Sequence, residues 1–145
     1  EISNFARAGF ESRHNLGYWR NVPYLGVGAG AHGYADGVRW ANESDTHAYI
    51  SGIRADMSVR TPEDAERTRA NAMEEYAFLA LRTAEGIDEE DFRRTFGAAM
   101  DEVYADVIAK YTAQGLLRRS ENHVALTEAG MKLGNEVFAA FLLEE

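Results

Sequence analysis

The 145-residue sequence contains no cysteine. Disulfides are therefore excluded, and so is any thiolate-held zinc or iron–sulfur site built from this chain alone. A chain without cysteine fits a reducing compartment, and a cytoplasmic location is the expectation. The sequence also lacks a run of about 18 apolar residues, so no segment reads as a transmembrane helix. The opening EISNFARAGF has no initiator Met, no basic n-region and no apolar h-region. It does not read as a signal peptide, and the chain reads as one entered in mid-sequence. Internal repeats and low-complexity tracts are lacking as well.

Positive charge is scarce in one half. Residues 1–60 hold six Arg against six Asp and Glu, and residues 61–145 hold nine Lys and Arg against eighteen acids. The second half therefore carries the whole net charge of -9. A polyanion is repelled by such a surface, so no nucleic-acid partner is expected. The remaining composition, 46% hydrophobic and 27% charged, is that of a globular protein.

The first 60 residues are short of helical periodicity and rich in Gly, Asn and aromatic residues. Tyr24–Val27 reads as a short buried strand, and Gly28–Gly33 as the loop that leaves it. Gly37–Trp40 reads as another strand, and Thr46–Ile53 as a short helix. So few strands do not make a free-standing domain; they read as the end of a sheet begun upstream.

From residue 61 the pattern turns helical. Thr61 reads as an N-cap with Pro62 at the first helical position and acids in the first turn. That helix is expected to run to about Thr83, burying Met73, Tyr76, Ala77, Ala80 and Leu81. Asp88 reads as the next cap, with Ile87 stapled on Phe92, and Gly97 as the stop. Met100, Val103, Tyr104, Val107, Ile108 and Tyr111 form the strongest apolar stripe in the chain, which Gly115 ends. A hairpin follows around the polar turn Arg118–His123, and Thr127 caps a last helix that buries Val137, Phe138, Phe141 and Leu142. Helix–helix–helix–hairpin–helix is the order of a small winged-helix-like domain. The duplex-DNA reading that such a domain invites meets Asp101, Glu102 and Asp106 against a lone Lys110 on the third helix, the wrong sign for phosphates.

Chemistry concentrates in Ser12-Arg13-His14-Asn15-Leu16-Gly17-Tyr18-Trp19-Arg20. A neutral imidazole at His14 suits a heme iron, Tyr18 and Trp19 offer flat apolar area, and Arg13 and Arg20 suit propionates. The plainer reading has His14 and Asn15 hydrogen-bonding a loop while Tyr18 and Trp19 pack internally. Gly26-Val27-Gly28-Ala29-Gly30 has the look of a nucleotide-cradling turn, but equally of a tight loop of small residues. His32 follows that loop and reads as facing the same cavity, whereas His47 and His123 read as solvent-facing. No His, Asp and Glu set has metal-site spacing. Glu74–Glu75 and Asp88–Asp91 fit helix-surface or dipole placement better than acid–base catalysis.

These segments together resemble one family. EISNFA, SRHNLGYW and PYLGVGAGAHG, followed by EEYAFLALRTAEGID, FRRTFG, GLL, LTEAG and NEVFAAFL, are similar in order and content to the heme chaperone HemW family, which is oxygen-independent coproporphyrinogen III oxidase-like and belongs to the radical-SAM superfamily. The resemblance implies an α+β chain. Residues 1–60 would be the closing strands of a partial radical-SAM (β/α) barrel, and residues 61–145 a mostly helical, winged-helix-like C-terminal domain. It implies heme binding at the HNxxYW run, with His14 the candidate iron ligand and Asn15, Tyr18 and Trp19 its setting. It also implies S-adenosylmethionine near Gly28, Ala29 and Gly30, and an apo-hemoprotein client that receives the heme. The family's cluster motif, CxxxCxxC, has no counterpart here, so a [4Fe-4S] cluster and reductive cleavage of S-adenosylmethionine belong to residues outside this chain. The alternative within the superfamily is oxidative decarboxylation of coproporphyrinogen III; the HNxxYW run points to the chaperone branch.

Overall fold

The computed structural model describes residues 5–62 and 68–143. The chain forms two compact units, Val22–Arg67 in one and Glu1–Asn21 with Thr68–Glu145 in the other. Both mix helix and strand, giving an α+β protein.

The smaller unit is built on an antiparallel sheet in the order β1 (His32–Ala35), β2 (Val38–Asn42), β3 (Arg60–Pro62). Asp36 and Gly37 join β1 to β2 with φ of 52° and 78°. Two consecutive positive φ values give the turn whose twist suits a two-residue hairpin. Gly33 lies opposite Trp40, and a Cβ there would sit 2.2 Å from the indole Cζ2. The glycine is thus what lets Trp40 lie flat across the sheet and become buried. Helix α2 (Thr46–Arg54) starts where the Asp45 carboxylate accepts the Ala48 amide at 2.8 Å.

Two expectations for this region are corrected. Tyr24–Val27 is not a buried strand. Tyr24 makes one isolated antiparallel bridge to Tyr34, while Leu25 and Val27 are 69% and 89% exposed. A strand is buried on both faces only when neighbours and a covering layer flank it, and among the described residues no strand pairs with 25–27. Nor does a helix begin at Thr61. Arg60–Pro62 is an edge strand, with Pro62 opposite Trp40; proline has no N–H for a ladder and so belongs on an edge. Residues 63–67, which hold the acids of the expected first turn, lie outside the described residues.

The larger unit contains α1 (Arg13–Trp19), α3 (Arg69–Ala80), α4 (Glu89–Phe96), α5 (Met100–Ala113), α6 (Glu128–Lys132) and α7 (Gly134–Ala140). Its sheet has the order β4 (Ile87–Asp88), β6 (His123–Leu126), β5 (Leu117–Ser120), all antiparallel. Several helix starts have a local cause. Thr68 and Asn71 form a reciprocal capping box for α3. Asp88 accepts the Glu90 and Asp91 amides for α4, and Thr127 accepts the Gly130 amide for α6. Gly97, left-handed at φ 64°, ends α4. The expected last helix is broken at Leu133, which leaves helical geometry at φ -113° and ψ 25°.

The core is a continuous aromatic and aliphatic cluster. Phe92 touches Tyr76, Phe96 and Tyr104, and Tyr104 stacks on Phe141 at 4.9 Å between centroids. Each such pair adds about 0.5–1.5 kcal/mol beyond burial. The stripe on α5 is buried at Met100, Tyr104, Ile108 and Tyr111, with Val103 and Val107 partly covered. Leu142, expected in the core, is 64% exposed: α7 ends at Ala140, and beyond it Phe141 and Leu143 face the cluster while Leu142 between them faces solvent.

Arg119 on β5 ties the hairpin to two helix starts. Its guanidinium meets both carboxylate oxygens of Glu89 at 2.7 and 2.6 Å and both of Asp101 at 2.9 Å. Two forked contacts at the acid-rich first turns of α4 and α5 fix the hairpin's angle. The hydrogen bonds from Arg119 hold the Asp101 carboxyl below its ordinary value of 3.8. A depressed carboxylate stabilises the fold above that unfolded value, and the contribution is lost as pH falls through the lower folded value. Asp101 is exposed, so solvent screens the effect. The unfolding midpoint of the protein should therefore drop as pH falls below 3.8, and Asp101→Asn should make that descent shallower. Parallel descents in chemical denaturation would show that this contact carries no linkage.

Candidate functional site

Helix α1 places the HNxxYW run. Ser12 caps it by accepting the Asn15 amide at 3.4 Å. His14 and Tyr18 lie four residues apart and so share one face. Their rings meet edge to face at 4.8 Å between centroids, and both residues are exposed. Asn15 and Trp19 are half-buried, on the side that packs on α3. The motif is thus divided between an outward face of imidazole and phenol and an inward face that anchors the helix.

The anchor is a residue that sequence reasoning missed. The Arg82 guanidinium lies 5.2 Å from the Trp19 ring centroid, 4.1 Å from Phe78 and 5.7 Å from Phe138. Its Nε is buried without a hydrogen-bond partner among the described residues. A second tether joins Arg20 to Glu85 at 2.6 Å. Arg20, read from sequence as suited to a propionate, is thereby engaged within the chain, while Arg13 is exposed. The only signal for Arg82 was a cation inside an otherwise apolar helix end, and spacing alone assigns that no partner.

Beside this anchor runs a cleft of about 380 Å³ lined by Trp19, Tyr76, Thr83, Asp88, Asp91 and His123 among others. The Tyr76 hydroxyl donates to Asp91 at 2.5 Å. Burial, and then that carboxylate, push the phenol above its ordinary value. His123, expected in solvent, is half-buried on β6, with Nε2 4.0 Å from Asp88 Oδ2. The paired acids have structural partners: Asp88 caps α4, Asp91 meets Arg94, and Glu74 accepts the Leu143 amide at 2.7 Å. No group of three His, Asp or Glu that would hold a metal ion occurs among the described residues.

The glycine loop belongs to the smaller unit. Gly28 has φ 109° and Gly30 φ 68°, so both need glycine for conformation. The Gly30 amide donates to Glu43 O at 2.9 Å, which withdraws it from any ligand. A Cβ on Gly28 would meet no atom within 4 Å, so the loop's outer side is open there, while Ala29 is half-buried. Asn42, also missed, braces the loop from beneath: Nδ2 donates to Gly28 O at 2.9 Å and Gly26 O at 3.4 Å. Asn42 is buried, and its Oδ1 has no partner among the described residues. His32 lies exposed on β1, and His47 is exposed at the start of α2.

Residues 68–133 match the model of the HemN C-terminal domain. The chain is 44% identical over 144 residues to "Heme chaperone HemW" of Bacillus subtilis and 35% identical over 145 residues to that of Lactococcus lactis, covering 99% and 100% of this chain. The second half thus carries the HemN C-terminal domain, and the chain is similar along its whole length to HemW. It spans 38% of the length of each of these two HemW relatives. Among solved structures, coproporphyrinogen III oxidase (HemN) from Escherichia coli, described as a radical SAM enzyme, matches with a TM-score of 0.62 and 16% identity over 83% of this chain and 28% of that one. That likeness is one of fold.

Asn42→Ala should cost about 1–3 kcal/mol, because two loop carbonyls lose their buried donor. Denaturant unfolding that shows no loss would mean that the loop keeps its shape unaided.

Proposed function

We propose that this chain is the heme-binding part of a radical-SAM-type heme chaperone, which takes up heme over α1 and passes it to an apo-hemoprotein. The observation that carries this reading is the outward pair on α1. His14 presents an exposed imidazole with Tyr18 edge-on against it, 4.8 Å between ring centroids. That pairing leaves a ring nitrogen accessible to an iron and limits the tilt of the imidazole. The identity to HemW relatives along the whole chain supports heme as the cargo. In this reading Asn15 and Trp19 set the position of the ligand helix rather than covering the porphyrin.

The radical-SAM groups fit unequally. S-adenosylmethionine would lie against the open side of Gly28 and the neighbouring Ala29 backbone, with Gly30 shaping the turn. The chain has no cysteine, so it supplies no ligand to the [4Fe-4S] cluster. Residues 1–60 are read as the closing part of the radical-SAM barrel, and 61–145 as the winged-helix-like C-terminal domain. A client protein fits the acidic second half better than a nucleic acid does, since the Arg119 charge is engaged by Glu89 and Asp101. The setting we propose is cytoplasmic. The decarboxylase reading rests on the fold of HemN, at 16% identity, and has no side chain of this chain behind it.

Heme titration of the full-length protein tests the ligand. His14→Ala should shift the Soret band and weaken affinity about tenfold or more, the equivalent of about 1.4 kcal/mol. An unchanged band and affinity would remove His14 from the site.

A further inference from the structure

Helix α1 has seven residues, one of them Gly17. Isolated helices shorter than about 12–15 residues are marginal in water, and this one has no buried side chain of its own. Its position must come from what it leans on. Its supports include the packing of half-buried Asn15 and Leu16 on the α3 side, the Arg20–Glu85 ion pair and the stack of Trp19 on Arg82. The ion pair is exposed on both sides, 50% and 63%, and exposed pairs contribute little. The stack is the stronger support.

Arg82 is an odd choice for mere filling. Its Nε–H is buried without an acceptor, which costs free energy that a methionine of similar length would not incur. What the cation gains is attraction to three ring faces at once. Those faces come from three helices: Trp19 from α1, Phe78 from α3 and Phe138 from α7. Phe78 and Phe138 are themselves packed edge to face at 5.3 Å, so the guanidinium sits on a rigid platform. The indole thus rests on the helical unit through one cation. His14 lies five residues back along the same helix, on the opposite side from that contact.

We propose that Arg82 is a positioning residue for the His14 ligand: by stacking on Trp19 it fixes the axis of α1, and with it the place and tilt at which the imidazole meets heme. This rests on the reading of His14 given above. The heme-facing helix is then carried by the C-terminal helical unit, not by the glycine-loop unit. Any shift of Phe78 or Phe138 against Arg82 moves the ligand.

The test is a double-mutant cycle in the full-length protein, read by heme affinity and by the Soret band, with far-UV circular dichroism as the check of fold. Arg82→Met should weaken heme binding about tenfold when His14 is present, since a desolvated cation on aromatic faces contributes on that order. In the His14→Ala background it should cost nothing further. Arg82→Lys keeps the charge but lacks the planar fork; it should fold as wild type and recover part of the loss, again only with His14 present. Equal losses in both backgrounds would overturn the proposal, because Arg82 would then act on heme or on the fold directly. No loss for either Arg82 variant would overturn it too. A His14→Ala protein with unchanged affinity and Soret band is a separate result that defeats the ligand assignment itself, and this proposal with it.

Discussion

The contact of Trp19 with the Arg82 guanidinium is the constraint from which the rest of the site takes its position. Helix α1 is too short to hold its own axis, and the chain before residue 22 groups with the helical unit rather than with the sheet that follows it. The indole turns one side of α1 toward α3 and leaves the other side, His14 and Tyr18, in solvent. Sequence order therefore does not decide which unit holds α1; the helix packs with the helical unit, where one cation lies over rings of three helices.

That platform is firm because the core beneath it is firm. Ala80 and Leu81, which immediately precede Arg82, are buried in the cluster that contains Phe92, Tyr104 and Phe141. Gly86 at φ 79° turns the chain so tightly that a Cβ would lie 2.2 Å from Val124 O, which brings β4 against β6. Arg119 then fixes the other end of that sheet to α4 and α5. The outward imidazole is a small, exposed feature on a scaffold held by aromatic packing and two forked ion pairs.

Much of this scaffold was legible because its signals are local. Asp88 and Thr127 as caps, Gly97 and Gly115 as stops and the stripe on α5 each depend on residues within a few positions. The same local logic failed at Thr61–Pro62. A proline after threonine suits a helix start, yet pairing with Trp40 makes the segment an edge strand, and sheet pairing is not local. Asp36-Gly37 carried a hairpin signal that the apolar run before it obscured. At Tyr24–Val27 apolar content suggested burial that only neighbouring strands can provide. For the candidate site the HNxxYW run pointed to one short helix, and its division into an outward and an inward face follows from packing. Arg82 and Asn42 matter through partners 63 and 14 positions away in sequence, Trp19 and Gly28, and no spacing rule reaches that far.

The central claim is that one imidazole of this helix meets the iron of the bound heme. Pulsed electron paramagnetic resonance on heme-loaded, full-length protein, with histidine labelled by nitrogen-15, reads that bond through the hyperfine coupling of its nitrogen. A labelled-nitrogen coupling is expected in the wild-type protein and should disappear when His14 alone is replaced by alanine. A coupling that survives that replacement, or no imidazole coupling in the wild-type protein, would contradict it.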